Sequence, residues 1–101
     1  ALGWYLDGRV SAVIGTHTHV PTADGRVLPK GTAYITDAGM TGAMDSVIGL
    51  NKERVIQRFV SGLPVKFEQS TSNPGMDYVI IEIDDEGKAL SIKNNRRFLP
   101  K

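Results

Sequence analysis

Val10-Ser11-Ala12-Val13-Ile14, running into Gly15-Thr16-His17-Thr18-His19, is the stretch on which the fold turns. Side chains alternate between faces along an extended chain, so Val10, Ala12 and Ile14 share one face and Val13 takes the other. Apolar residues on both faces mark a strand covered on both sides, as in α/β sheets. Gly15 ends the strand, and the histidine pair follows in a loop containing Pro21. Thr32–Thr36 is a second strand, set off by the turn signal Pro29-Lys30-Gly31 and followed by the glycine-punctuated stretch from Asp37 to Gly42.

Upstream, Leu2, Tyr5 and Leu6 stand at i, i+3 and i+4, the pattern of the last turns of a helix, with Gly8 placed to stop it in the left-handed conformation. No Ser, Thr, Asp or Asn precedes them as a cap, so the helix looks cut and further residues are expected before Ala1; a short frayed turn is the alternative. Downstream, Lys52–Ser61 is a helix. Asn51 can cap it, Glu53 lies in its first turn, and Val55, Ile56, Phe59 and Val60 form an apolar stripe read as core. Gly62 and Pro64 end it. Val65–Gln69 and a polar loop, Ser70–Gly75, come next.

Tyr78–Ile83 and Ala89–Lys93, joined by Asp84-Asp85-Glu86-Gly87, form an antiparallel hairpin with Val79, Ile81 and Ile83 facing opposite to Tyr78 and Ile80. The basic tail Asn94–Lys101 reads as loose. The expected fold class is therefore α/β, a partial α/β sandwich with one clear helix and a C-terminal antiparallel hairpin, in a single domain over residues 1–101.

Composition narrows the chemistry. A chain of 101 residues has room for one domain, and 41% hydrophobic with 23% charged residues is a globular composition. Without cysteine there is no disulfide framework, thiolate zinc site, iron–sulfur cluster or cysteine nucleophile. Twelve basic against eleven acidic residues leave a net charge of +1, no footprint for duplex nucleic acid or an anionic membrane. No apolar run approaches the roughly 20 residues of a membrane span, and no basic-led apolar segment resembles an export signal, so a cytoplasmic protein is expected.

Both histidines lie in His17-Thr18-His19. In extended backbone residues i and i+2 point the same way, which would aim both imidazoles at one region just past a strand's carboxyl end, where open α/β sheets bind ligands. Imidazole is the commonest ligand for zinc, iron and related metals, but two ordinary loop histidines fit the pattern too. Two ligands do not complete a site; Asp24 and Asp37 are the nearest acidic candidates, each also readable as a turn or capping residue. Gly39 and Gly42 lack a dinucleotide or Walker signature, Ser46 and Ser61 lack a nucleophile-elbow context, and Arg96-Arg97 reads as a solvated end.

Gly15-Thr16-His17-Thr18-His19-Val20, Thr22-Ala23-Asp24, Leu28-Pro29, Gly31–Asp37, Gly39-Met40-Thr41-Gly42, Asp45–Gly49, Lys52–Phe59 and Leu63-Pro64-Val65 together resemble the C-terminal part of the YmdB-like metallophosphoesterases. The resemblance weakens after about residue 70. It implies a calcineurin-like α/β sandwich with a two-metal centre, iron or manganese, hydrolysing phosphodiesters such as 2′,3′-cyclic nucleotides. By position, His17 would bind the second metal and His19 the first. The family's other ligands and its histidine proton donor have no counterpart in this chain, so no catalytic residue is assigned and the chain alone is expected to be inactive. Residues 24–48 would contribute to a small cap region. The alternatives are a non-enzymatic assembly module, homo-oligomeric or joined to the missing N-terminal part through its exposed hairpin edges, and a single-metal domain using His17, His19 and Asp37.

Overall fold

A computed structural model describes residues 1–44, 46–62 and 73–98. Its elements are α1 (Leu2–Leu6), β1 (Ala12–Ile14), β2 (Arg26–Val27), β3 (Ala33–Ile35), β4 (Thr41–Ala43), α2 (Lys52–Ser61), β5 (Pro74–Ile83) and β6 (Ala89–Phe98). The α/β class holds: two three-stranded sheets, ordered β1-β3-β2 and β4-β5-β6, are accompanied by the helices.

β3 is the spine of the first sheet. It runs parallel to β1, with Val13 opposite Tyr34, and antiparallel to β2, with Arg26 opposite Tyr34. Ala33 and Ile35 are fully buried, and Leu28 nearly so. Burial expected for β1 is thus found on β3, because β1 is an edge strand whose Ile14 stays 44% exposed. Gly3 of α1 lies against the Tyr34 ring, where a Cβ would come within 2.5 Å of it. That helix ends at Leu6; Asp7 is extended, and Gly8 is left-handed but already beyond the stop. Buried Asp7 accepts from the Lys30 and Thr32 N–H groups and thereby holds the turn before β3.

β5 and β6 form the expected hairpin, but it is longer than its apolar pattern. Asn94–Phe98, read above as a loose tail, pairs from Asn94↔Val79 to Phe98↔Gly75. A tertiary ion pair accounts for this. Arg96 Nε donates to Asp77 Oδ1 at 2.6 Å and Nη2 to Oδ2 at 3.1 Å, and the Asp77 side chain is 1% exposed. Burial alone would raise the Asp77 carboxyl; the Arg96 hydrogen bonds and charge, with the Met40 N–H, outweigh it and leave it below its usual range. Asp77 also accepts from Met40 N–H at 3.0 Å, tying the second sheet to the loop after β3.

α2 carries the expected caps. Asn51 Oδ1 accepts from Arg54 N–H at 3.2 Å, and Gly62 closes the helix at φ 68° with its N–H on Arg58 O. Asn51→Ala should cost about 1 kcal/mol of helix stability, read as a lower urea midpoint with unchanged slope. The apolar stripe departs from its core assignment: Ile56, Phe59 and Val60 are 54%, 91% and 80% exposed. Helical periodicity makes a stripe but does not say what covers it, and no described residue does. Val65–Gln69 and the first half of the polar loop, residues 70–72, lie outside the described residues, as do residues 99–101. Pro74 and Gly75, expected in the loop, instead open β5 because they pair with β4 and β6.

The whole is a slab of 52 × 34 × 16 Å with a radius of gyration of 17.0 Å, against about 13 Å for a compact chain of this length. Such flatness leaves Leu2, Trp4, Tyr5 and Leu90 more than half exposed. No described helix is long and apolar enough to cross a membrane.

Candidate metal centre

The carboxyl ends of β1 and β3 deliver two loops side by side. Gly15 N–H donates to Ile35 O at 3.2 Å, and Ala38 N–H donates to Gly15 O at 2.8 Å. The two backbones run so close that a Cβ on Gly15 would lie 1.9 Å from Thr36 O, which is why the strand must end in glycine.

Asp37 leads the second loop and is 1% exposed. Its Oδ2 accepts from Thr18 Oγ1 at 2.6 Å and Thr18 N–H at 2.7 Å, while Oδ1 accepts from Gly39 N–H at 2.8 Å. The Thr18 hydroxyl, more than the two N–H groups, holds the carboxyl below its ordinary range against the opposing effect of burial. Asp37 therefore clamps the residue between the two histidines.

This overturns the reading in which Asp37 joins His17 and His19 as a third ligand. Its oxygens are engaged by three donors, and no group of three or more His, Cys, Asp or Glu gathers among the described residues. Asp24 is likewise an anchor. It accepts from Thr22 Oγ1 at 2.6 Å, from Thr36 N–H at 3.1 Å and from the Thr36 hydroxyl. Those contacts, the Thr22 hydroxyl first, lower its carboxyl to about 2. Gly39 is committed too, its N–H to Asp37 and its α-carbon face to Asp77.

The histidines sit on bends rather than extended backbone, and His19 is left-handed at φ 63°. Strand alternation thus does not orient the two rings, contrary to expectation; the Asp37 clamp on Thr18 shapes the loop instead. The His17 ring is exposed and makes no hydrogen bond to a described residue. His19 is exposed but held: its Nδ1 lies 3.0 Å from Ile48 O. A carbonyl can only accept, so in the neutral ring Nδ1 carries the proton and Nε2 keeps a free lone pair. Metal-binding imidazoles are held by the same kind of contact.

Ile48 belongs to a tight turn that is not among the elements expected from the sequence. Val47 and Leu50 exchange N–H···O bonds of 3.0 and 2.8 Å, with Ile48 at φ 46° and Gly49 at φ 90° between them. Ser46 braces the turn, its hydroxyl donating to Ala43 O and accepting from Gly49 N–H. A cleft of about 380 Å³ opens beside His19, walled by Met40, Thr41, Ile48 and Leu50. Chemically, the site offers imidazole nitrogen donors on a pinned loop, next to a partly apolar cleft.

Residues 1–94 match the family described as YmdB-like protein. Over 88 residues the chain is 58% identical to a 2′,3′-cyclic-nucleotide 2′-phosphodiesterase of Bacillus subtilis (strain 168), covering 87% of this chain and 33% of that protein. A crystal structure of a hypothetical protein from Thermus thermophilus superposes with TM-score 0.89 at 42% identity, over 98% of this chain and 39% of the other. A phosphatase from Mycoplasma pneumoniae gives TM-score 0.88 at 42% identity, over 95% and 35% respectively. The chain thus spans about a third of the length of the curated relative, 33%.

Proposed function

This chain belongs to the YmdB-like protein family, and from that premise we propose that it is part of a metal-dependent phosphodiesterase acting on phosphodiesters such as 2′,3′-cyclic nucleotides. His17 and His19 are its contribution to a centre of two divalent ions, iron or manganese, with His19 on the first ion and His17 on the second. The observation that carries this is the His19 Nδ1–H bond to Ile48 O, which leaves Nε2 as the donor on a loop pinned by a buried carboxylate. Both imidazoles fit such ions chemically, and as only part of a shell, since no third ligand gathers among the described residues. The other ligands come from outside the described residues, in keeping with the share of the relative that the chain spans.

When bound, the metals supply charge neutralisation at the phosphate oxygens and an activated water nucleophile. The chain's own part is positional. Asp37 fixes Thr18, Ile48 fixes the His19 tautomer, Met40, Thr41, Ile48 and Leu50 wall the cleft, and residues 24–48 contribute to a small cap. Cleavage of the 2′ P–O ester of a 2′,3′-cyclic nucleotide breaks that bond with water and leaves the 3′-phosphate.

A second reading, an assembly module, draws on the exposure of Trp4, Phe59, Val60 and Leu90. The two are compatible if these surfaces pack against the rest of a longer polypeptide or a second copy. The separating experiment is metal analysis of the full-length protein together with hydrolysis of 2′,3′-cyclic AMP. Two ions per subunit and hydrolysis abolished by a chelator are expected, with little turnover by the 101-residue chain alone. Chelator-resistant hydrolysis, or none in the presence of iron or manganese, contradicts the enzyme reading.

A further inference from the structure

Two-residue hairpin turns with left-handed backbone at both central positions favour Asn-Gly, because Asn and Gly tolerate positive φ. Here the first of those positions is Ile48, at φ 46°. A β-branched residue in that region is strained, and such strain persists only where something else requires the residue. Core packing does not require it, since Ile48 is 48% exposed. Its side chain instead lines the cleft beside His19, with Met40 and Leu50, while its carbonyl oxygen holds the His19 ring. One residue therefore orients the candidate ligand through its backbone and presents an apolar surface beside it through its side chain.

We propose that Ile48 is a specificity-determining residue, its side chain forming with Met40 and Leu50 the wall that receives the nucleoside part of a nucleotide substrate. This rests on the phosphodiesterase reading above. A phosphate held at the His17–His19 loop must place its organic substituent in space next to the ring, and the cleft of about 380 Å³ is that space. Its lining suits a base and ribose: Met40, Ile48 and Leu50 offer apolar contact, and Thr41 brings a hydroxyl-bearing residue to the same wall. An apolar segment of the longer polypeptide covering the cleft is the competing occupant.

The test uses the full-length, metal-loaded protein and its Ile48→Asn and Ile48→Gly variants, both of which keep the carbonyl and suit the turn. Binding of 3′-AMP and of inorganic phosphate is measured by calorimetry, and thermal midpoints are recorded alongside. In both variants 3′-AMP is expected to bind about tenfold more weakly, phosphate affinity to stay within about twofold, and the midpoint to hold or rise. Unchanged 3′-AMP affinity in both variants overturns the assignment. So does an equal loss for both ligands, which would place the effect on the His19 ring, or a lowered midpoint in both, which would show the cleft filled by protein. A parent protein that binds neither probe rejects the phosphodiesterase reading itself, and this inference with it.

Discussion

Replacing either His17 or His19 by alanine in the full-length protein is expected to lower turnover of 2′,3′-cyclic AMP by more than about a hundredfold. Losing a partner that merely orients a metal ligand already costs about 10- to 100-fold in metal affinity or activity, and losing the ligand costs more. Metal content should fall in parallel. For His17 the fold should not suffer, because its ring is exposed and makes no hydrogen bond to a described residue, and such surface substitutions typically move stability by about 0.5 kcal/mol or less. His19→Ala also loses the contact to Ile48 O. In His17→Ala, the pairing of a large kinetic loss with an unchanged thermal midpoint separates ligand removal from misfolding. Undiminished turnover in both variants would show that the two side chains hold nothing the reaction needs.

The second large effect falls on a residue that touches no substrate. Asp37→Ala removes the acceptor for Thr18 N–H, the Thr18 hydroxyl and Gly39 N–H at a position 1% exposed to solvent. Donors left unpaired in such a place are costly, so the thermal midpoint should fall by several degrees. With Thr18 unclamped, metal affinity should drop about 10- to 100-fold even in the folded fraction. Asp37→Asn keeps the shape but turns an amide N–H₂ towards a donor, and should be intermediate.

The pH dependence has a definite sign. A carboxyl lowered on folding stabilises fully above its unfolded value of about 3.9, and that contribution disappears as pH falls through the lower folded value. Urea midpoints measured downward from about pH 5 should therefore fall more steeply for the parent than for Asp37→Asn. Identical slopes would mean that the Asp37 contacts do not favour the ionised form.

What could be read from the sequence and what could not divides along a physical line. Local signals survived: Asn51 and Gly62 bound α2 as their chemistry requires, and Asp84 and Gly87 turn the β5–β6 hairpin through the Asp84 Oδ1 contacts to Glu86 and Lys88 N–H. Non-local facts did not. The polar run Asn94–Arg97 has no alternation to announce a strand, yet Arg96 reaches Asp77 across the ladder and extends it. β2 and β4, at two and three residues, are too short to show a period and exist through their partners β3 and β5.

The candidate site shows the same division. Two imidazoles two residues apart are visible to anyone reading His17-Thr18-His19, and the family resemblance assigns them to metal. That Asp37 clamps Thr18, and that Ile48 lends its carbonyl to a ring 29 residues away, depends on loops brought together by folding. A glycine flanked by Val47 and Leu50 was a faint hairpin signal, hidden because isoleucine occupies the place where asparagine would have announced the turn.

The most direct measurement is a crystal structure of the full-length protein, with anomalous diffraction collected at the iron and manganese edges. Anomalous peaks bonded to Nε2 of His19 and to the ring of His17, with the His19 Nδ1–H still on the Ile48 carbonyl, are expected. A centre fully occupied by metal while both imidazoles stand away from it, or His19 binding through Nδ1 with its ring turned off Ile48, would contradict the account.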